Sequence, residues 1–122
     1  MQVQTTAGWS NWTPTFAFTV TPTLPVAPVL VLPVSGTITK LNTPTMNWNS
    51  VGGGVNYEVQ ISKVNNFSTI EQDITLDPGT LSYTTAPLLD GNHYWRVRAI
   101  NYLGVPGSWS GYKYLTINSL LP

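Results

Sequence analysis

The chain has 122 residues, of which only 8% are charged, and its five basic and five acidic side chains give a formal net charge of zero. This length corresponds to one domain that can bury a core without a metal or a disulfide. The low, balanced charge argues against a nucleic-acid partner and against attraction to an acidic membrane. Abundant Thr, Ser, Asn, Gly and Pro with few charges favour an extracellular or cell-surface location.

Residues 1–20 predict a strand that stands apart from the main domain. A Trp-Ser pair in residues 8–10 precedes an alternating strand whose apolar positions are Phe16, Phe18 and Val20. The same order recurs at residues 108–110 and 115–117, with Trp9 and Trp109 separated by 100 positions. That spacing fits one small β-sandwich, so residues 1–20 are either the final strand of a preceding repeat or a strand donated during assembly. A chance match of a short motif is the alternative.

Residues 21–28, TPTLPVAP, predict a linker, because proline at every third position favours an extended polyproline-like chain. The apolar stretch 24–34 is too short and too often interrupted by proline to cross a bilayer, so we expect no membrane insertion. The main domain then occupies residues 29–118, and residues 119–122 are a tail or the start of another linker.

Short segments with strand patterns fill the first half of this domain. Residues 29–34 end at a proline and a glycine turn, which is typical of an edge strand, and residues 37–41 continue it or bridge to the next strand. Residues 43–49 alternate, with Met46 and Trp48 directed inward. Residues 55–62 place Tyr57 and Val59 on one face and polar side chains on the other, which predicts a sheet with one dry and one wet side.

The second half continues with an irregular edge strand in residues 65–75, a proline turn at 77–79 and a strand ending before Pro87. Residues 91–101 are expected to form a central strand, and residues 113–118 close the sheet. Because guanidinium groups are rarely buried without a partner, Arg96 and Arg98 must face outward and Trp95 inward. The expected core therefore contains Trp48, Tyr57, Val59, Trp95 and Val97.

About seven short strands separated by turns, with no amphipathic helical stripe, predict an all-β, antiparallel Greek-key β-sandwich. Trp48, the alternating residues 57–61, the stretch 94–99 and Trp109-Ser110 together make the chain similar to a fibronectin type III-like domain over residues 28–118. The resemblance implies a core role for Trp48 and a tyrosine corner near Asn92. His93 takes that corner position here, and it can offer a ring N–H instead.

The titratable groups do not form a recognisable reaction centre. His93 is the only histidine, there are five carboxylates, and cysteine is absent. A zinc site needs more His or Cys ligands, and Asp73 with Asp77 lacks the spacing of a calcium loop. We therefore predict no catalytic residues, no metal and no cofactor, and interpret His93 as structural, with a catalytic or metal-binding histidine as the alternative.

The outward face of the central strand carries the most distinctive surface. Tyr94, Arg96 and Arg98 are expected between Glu58 on one neighbouring strand and Tyr112 and Tyr114 on the other. One interpretation is a ladder of ion pairs and cation–π contacts that stabilises an exposed sheet. The other is a flat platform on which tyrosine rings stack against sugars while Arg and Glu bond hydroxyl groups.

These patterns predict a non-enzymatic structural module of an extracellular repeat protein, acting as a spacer, a fibre subunit or an adhesin stalk. Phe16, Phe18 and Val20 form an apolar edge that can augment a sheet of a neighbouring copy or pack back on its own domain. The expected partners are thus copies of itself or neighbouring repeats. A carbohydrate-binding accessory module is the alternative, with glycan as its partner.

Overall fold

A computed structural model describes residues 24–52 and 54–121, which form eight strands. The strands are β1 (Leu30–Leu32), β2 (Thr37–Thr39), β3 (Thr45–Trp48), β4 (Asn56–Ser62), β5 (Ile70–Leu76), β6 (Ser82–Thr84), β7 (Gly91–Ile100) and β8 (Lys113–Ile117). Within these described ranges, no helix has the length and apolar character needed to cross a membrane. The predicted strand of residues 1–20 and the first three residues of the predicted linker lie outside the described residues.

The strands form two sheets, and this confirms the predicted all-β sandwich. The smaller sheet has the order β1-β3-β6, and the larger has the order β2-β8-β7-β4-β5. Every pair is antiparallel except β2 with β8, which run parallel. The predicted central strand, β7, lies between β4 and β8, so its two neighbours determine what surrounds its outward side chains.

The segment expected as one edge strand and its continuation divides between the sheets. β1 forms an edge of the smaller sheet and β2 an edge of the larger one. Pro33 has no N–H to donate, and Gly36 follows with a φ of 90°, a conformation that glycine adopts without a steric cost. The amide of Gly36 donates to the carbonyl of Tyr114 at 3.1 Å, which brings the chain onto β8. This crossing accounts for eight strands where about seven were expected.

The core lies between the sheets and is filled from both. Met46 and Trp48 enter from β3, and the larger sheet contributes alternate residues of its three inner strands. The five residues assigned to the core from the sequence are all buried: Trp48, Tyr57, Val59, Trp95 and Val97. Along β7 buried and half-buried positions alternate from His93 to Ile100, because side chains of successive strand residues point to opposite faces.

Candidate functional site

The candidate site is the face of the larger sheet that points away from the core. On this face β4 and β7 pair so that Glu58 lies opposite Arg98 and Gln60 opposite Arg96. On the other side of β7, Tyr94 lies opposite Tyr114. Tyr112 lies just before β8 and contacts Tyr94. The six residues assigned to a ligand face from the sequence are therefore brought together on one surface.

The guanidinium group of Arg96 is enclosed between two aromatic rings. Its Cζ atom lies 4.2 Å from the ring centroid of Phe67 and 4.2 Å from that of Trp109. Its Nε and Nη2 atoms donate to Oε1 of Gln60 at 3.0 and 2.7 Å. Burial lowers the pKa of Arg96, and the nearby charge of Arg98 lowers it further. Arginine nonetheless stays protonated in proteins, so the guanidinium group between the two rings is a cation.

Arg98 forms the next step of the same arrangement. Its Cζ atom lies 4.4 Å from the ring centroid of Trp109, so one indole ring contacts both guanidinium groups. Its Nε atom donates to Oε1 of Glu58 at 2.7 Å. A charge-assisted hydrogen bond and a cation–π contact thus hold the same side chain from two directions.

Glu58 is more enclosed than its outward position on β4 predicts. Its exposed fraction is 9%, so the expectation that this carboxylate is available on an open face is wrong. Burial is the main cause that raises the pKa of Glu58, and a hydrogen bond with Asp73 raises it further, while Arg98 acts in the opposite direction. The carboxylate therefore makes its contacts within the protein, with Asp73 of β5 and Arg98 of β7.

Tyrosine rings extend the contacts toward the other edge of the face. Tyr94 meets Tyr112 edge to face with 5.4 Å between ring centroids, and it lies 6.1 Å from Tyr114. Tyr112 in turn lies 6.5 Å from Phe67, the ring that covers Arg96. We call this continuous row the aromatic–arginine ladder; its members are Tyr114, Tyr94, Tyr112, Phe67, Arg96, Trp109 and Arg98.

The two rings that cover Arg96 come from loops. Phe67 occupies a turn before β5, where its φ of 57° and a hydrogen bond from its amide to the carbonyl of Val64 fold the chain back over the sheet. The predicted irregular strand of residues 65–75 accordingly begins later, at Ile70.

Trp109 is fixed by the segment that leads into β8. The amide of Gly107 donates to the carbonyl of Ala99 at 2.8 Å, and the amide of Ser110 donates to that of Val97 at 2.9 Å. The hydroxyl of Ser110 also accepts from the amide of Val97. With its neighbours held against β7 in this way, the indole ring of Trp109 lies over the two arginines.

His93 lies on the opposite, core-facing side of β7 and is 1% exposed. Its Nε2 atom is 2.6 Å from the carbonyl oxygen of Leu89, and its Nδ1 atom is 2.7 Å from Oε1 of Glu71. A carbonyl only accepts, so Nε2 carries the proton in that contact. The ring thereby joins β7 to β5 and to the loop before β7. Among the described residues, no group of three or more His, Cys, Asp or Glu side chains is close enough to hold a metal ion.

The order of the two sheets and the core tryptophan of β3 define a fibronectin type III-like sandwich. Known structures with a similar fold include an α-L-rhamnosidase from Streptomyces avermitilis complexed with L-rhamnose, with a TM-score of 0.53 and 17% sequence identity. That match covers 78% of this chain and 10% of the rhamnosidase, so the chain corresponds to a small part of that enzyme.

A second similar structure is the fibronectin type III domain of human fibronectin type III domain containing protein 3, with a TM-score of 0.48, 18% identity and coverage of 83% of this chain and 90% of that one. No protein-family model and no curated protein sequence matches this chain. At such low identity the likeness concerns the fold alone, and a function has to be argued from the surface.

Proposed function

We propose that this chain is a structural, non-enzymatic module of an extracellular or cell-surface repeat protein, acting as a spacer, a fibre subunit or an adhesin stalk. The fibronectin type III-like fold supports a structural or accessory module. The low charge and the high content of Thr, Ser, Asn, Gly and Pro support a location outside the cell.

The observation that carries the proposal is the internal use of the aromatic–arginine ladder. Arg96 is covered by two rings and bonded to Gln60, while Arg98 is bonded to Glu58. The groups that would recognise a ligand on this face instead hold β4, β7 and the segment before β8 together. These contacts stabilise the sheet, and a stable sandwich suits a module that keeps its conformation within an extended assembly.

Assembly through the N-terminal strand completes the proposal. Residues 15–20, TFAFTV, form an alternating apolar pattern, although the sandwich already has its final strand, β8. A strand added to a neighbouring copy gives a head-to-tail contact, which propagates into a chain of subunits when it does not close into a ring.

Deletion of residues 1–22 tests this assembly. Light scattering and electron microscopy should show polymers of the full chain and monomers of the shortened one, with far-UV circular dichroism as the control for an intact sandwich. Polymers that persist unchanged after the deletion would show that residues 1–22 do not mediate assembly.

Two exposed rings favour a second candidate function, that of a carbohydrate-binding accessory module. Tyr112 and Tyr114 are 46% and 41% exposed and flank Tyr94, so their free ring surfaces are available for stacking on a sugar. A glycan array with Tyr114→Ala as the matched variant separates the two functions. Micromolar binding that disappears in the variant would favour the accessory module, and no binding by either protein would favour the structural one.

A further inference from the structure

One long side of the sandwich is mostly apolar, and the charged residue nearest to it is Lys40, directly after β2. β1 is an edge of the smaller sheet, β2 is an edge of the larger one, and four residues connect them. We call this surface the β1–β2 side. Its exposed apolar side chains have between 38% and 63% of their surface accessible, and they are Val29, Val31, Leu32, Val34, Ile38 and Leu41.

The opposite side is protected in the way that sheet edges usually are. β5 carries Glu71 and Asp73, and acidic side chains on an edge strand discourage pairing with another chain. The side chain of Gln72 also connects this edge to the smaller sheet, since it accepts from the hydroxyl of Tyr83 at 2.7 Å and donates to the carbonyl of Ala86. β1 and β2 carry no acidic side chain; β6 carries none either, but its Tyr83 is bonded to Gln72 of β5.

The charged residues are confined to one part of the sequence. No Asp, Glu, Lys or Arg precedes Lys40, so all ten charged residues lie in residues 40–113. The uncharged part, residues 1–39, contains the alternating segment 15–20 and the exposed apolar residues of the β1–β2 side except Leu41. A contact that leaves Lys40 at its margin buries no charge and therefore avoids the large cost of desolvating one.

The linker that joins these regions is rich in proline. Prolines at positions 22, 25 and 28 favour an extended chain, which advances about 3.1 Å per residue and so about 25 Å over residues 21–28. The described part of the linker lies against the end of the sandwich where β7 finishes: a Cβ atom on Gly107 would come within 2.1 Å of the carbonyl oxygen of Pro25. Pro28 is buried. An extended linker of this length allows residues 15–20 to reach a second copy.

We propose that the β1–β2 side of one copy binds residues 15–20 of a second copy of this chain. The inference rests on the proposed assembly function and names the surface that receives the strand. Phe16, Phe18 and Val20 pack on the exposed side chains of the β1–β2 side, and the strand edge supplies free backbone groups. The contact is heterologous, because the donor segment and the acceptor surface are different parts of the chain.

Because the native chain has no cysteine, single-cysteine variants of the full chain can map this contact. We would mix Phe18→Cys with Ile38→Cys, oxidise the mixture and locate the disulfides by mass spectrometry. The expected product is an intermolecular bond between positions 18 and 38. Ile70→Cys is the matched control, since Ile70 is an exposed isoleucine on the protected β5 edge. It should give little cross-linking to position 18.

The possible outcomes distinguish a failure of the proposed binding surface from a failure of the proposed assembly. Equal cross-linking of position 18 to positions 38 and 70 would overturn the proposed surface, and bonds between two copies of position 38 alone would overturn the proposed occupant. Oligomers without any bond to position 38 would refute this inference and leave the assembly standing, whereas a chain that is monomeric at every concentration would refute both. As a second measurement, Ile38→Lys should weaken association roughly tenfold or more, while Ile70→Lys should leave it unchanged.

Discussion

Replacing Trp109 by alanine should destabilise the protein more than any other single change on the outer face of the sheet. The indole ring contacts both Arg96 and Arg98, with distances of 4.2 and 4.4 Å from the ring centroid to the two Cζ atoms. Cation–π contacts at partly exposed sites contribute about 0.5–1 kcal/mol each, so the two contacts together contribute about 1–2 kcal/mol. Loss of the apolar contacts of the half-buried ring adds about 1 kcal/mol.

The expected loss is therefore about 2–3 kcal/mol in the free energy of unfolding. In urea this corresponds to a fall in the midpoint of about 1–2 M for a domain of this size. Far-UV circular dichroism should follow the transition, because the substitution removes a fluorophore. Trp109→Phe keeps a ring over the arginines and should lose less than half as much. Tyr102→Ala, at a site that is 79% exposed, should change stability by less than about 0.5 kcal/mol.

A double-mutant cycle isolates the contact between the ring and one cation. Arg96→Met keeps an apolar stem under the ring and removes the charge, so the coupling with Trp109→Ala should be about 0.5–1 kcal/mol. The coupling of Trp109→Ala with Tyr102→Ala should be zero within error. A loss below about 0.5 kcal/mol for Trp109→Ala, or additive effects in the Arg96 cycle, would refute a stabilising role for the ladder.

Three further changes test other parts of the structure. Because burial raises the pKa of Glu58 above its ordinary 4.5, the native chain should be most stable relative to Glu58→Gln below pH 4.5 and lose that advantage as the pH rises; urea titrations showing the reverse trend would contradict this. His93→Leu removes the ring that contacts the carbonyl of Leu89 and the carboxyl of Glu71, and should cost about 1–3 kcal/mol; a loss below about 0.5 kcal/mol would mean that those contacts are replaceable. Gly107→Ala places a methyl group against the carbonyl of Pro25 and should cost about 1–3 kcal/mol, whereas Gly111→Ala, with open space around it, should be neutral; equal effects would show that the linker is not docked there.

The strand pattern and the register of β7 could be predicted because they follow from chemistry that acts within one segment. Two arginines that cannot be buried alone assign one face to solvent, and the intervening Trp95 then belongs to the core. The same reasoning placed Arg96 and Arg98 beside β4 and β8, and their pairing with Gln60 and Glu58 follows from the antiparallel register.

The covering rings could not be predicted in the same way, because they reach the sheet from turns. Phe67 needs a positive φ to fold over Arg96, and an irregular segment gives no periodicity from which to infer this. Ser110 and Tyr114 lie four positions apart, yet Ser110 is buried and Tyr114 is exposed, so the alternation breaks between them. The sequence therefore marks Trp109 as part of a repeated Trp-Ser pair and of the fibronectin type III-like pattern, without indicating its contact with the arginines. A tryptophan in the loop that follows a strand with two outward-facing arginines is the sequence signal for such a contact.

The division of the first segment into β1 and β2 was also not predictable from its apolar pattern. A proline and a glycine mark a turn, but they do not say whether the chain stays in one sheet. The backbone bond from Gly36 to Tyr114 decides this, and it joins residues 78 positions apart. Long-range pairing of this kind produces the apolar β1–β2 side, which the sequence shows only as a run of uncharged residues.

The proposal of a structural module that assembles through its N-terminal strand is tested most directly by sedimentation velocity of the full chain over a range of concentrations. We expect a series of oligomers that grows with concentration, and a single monomeric species for the double variant Phe16→Lys and Phe18→Lys, whose sandwich should stay intact. A full chain that sediments as a monomer throughout, or a double variant that forms the same oligomers, would contradict it.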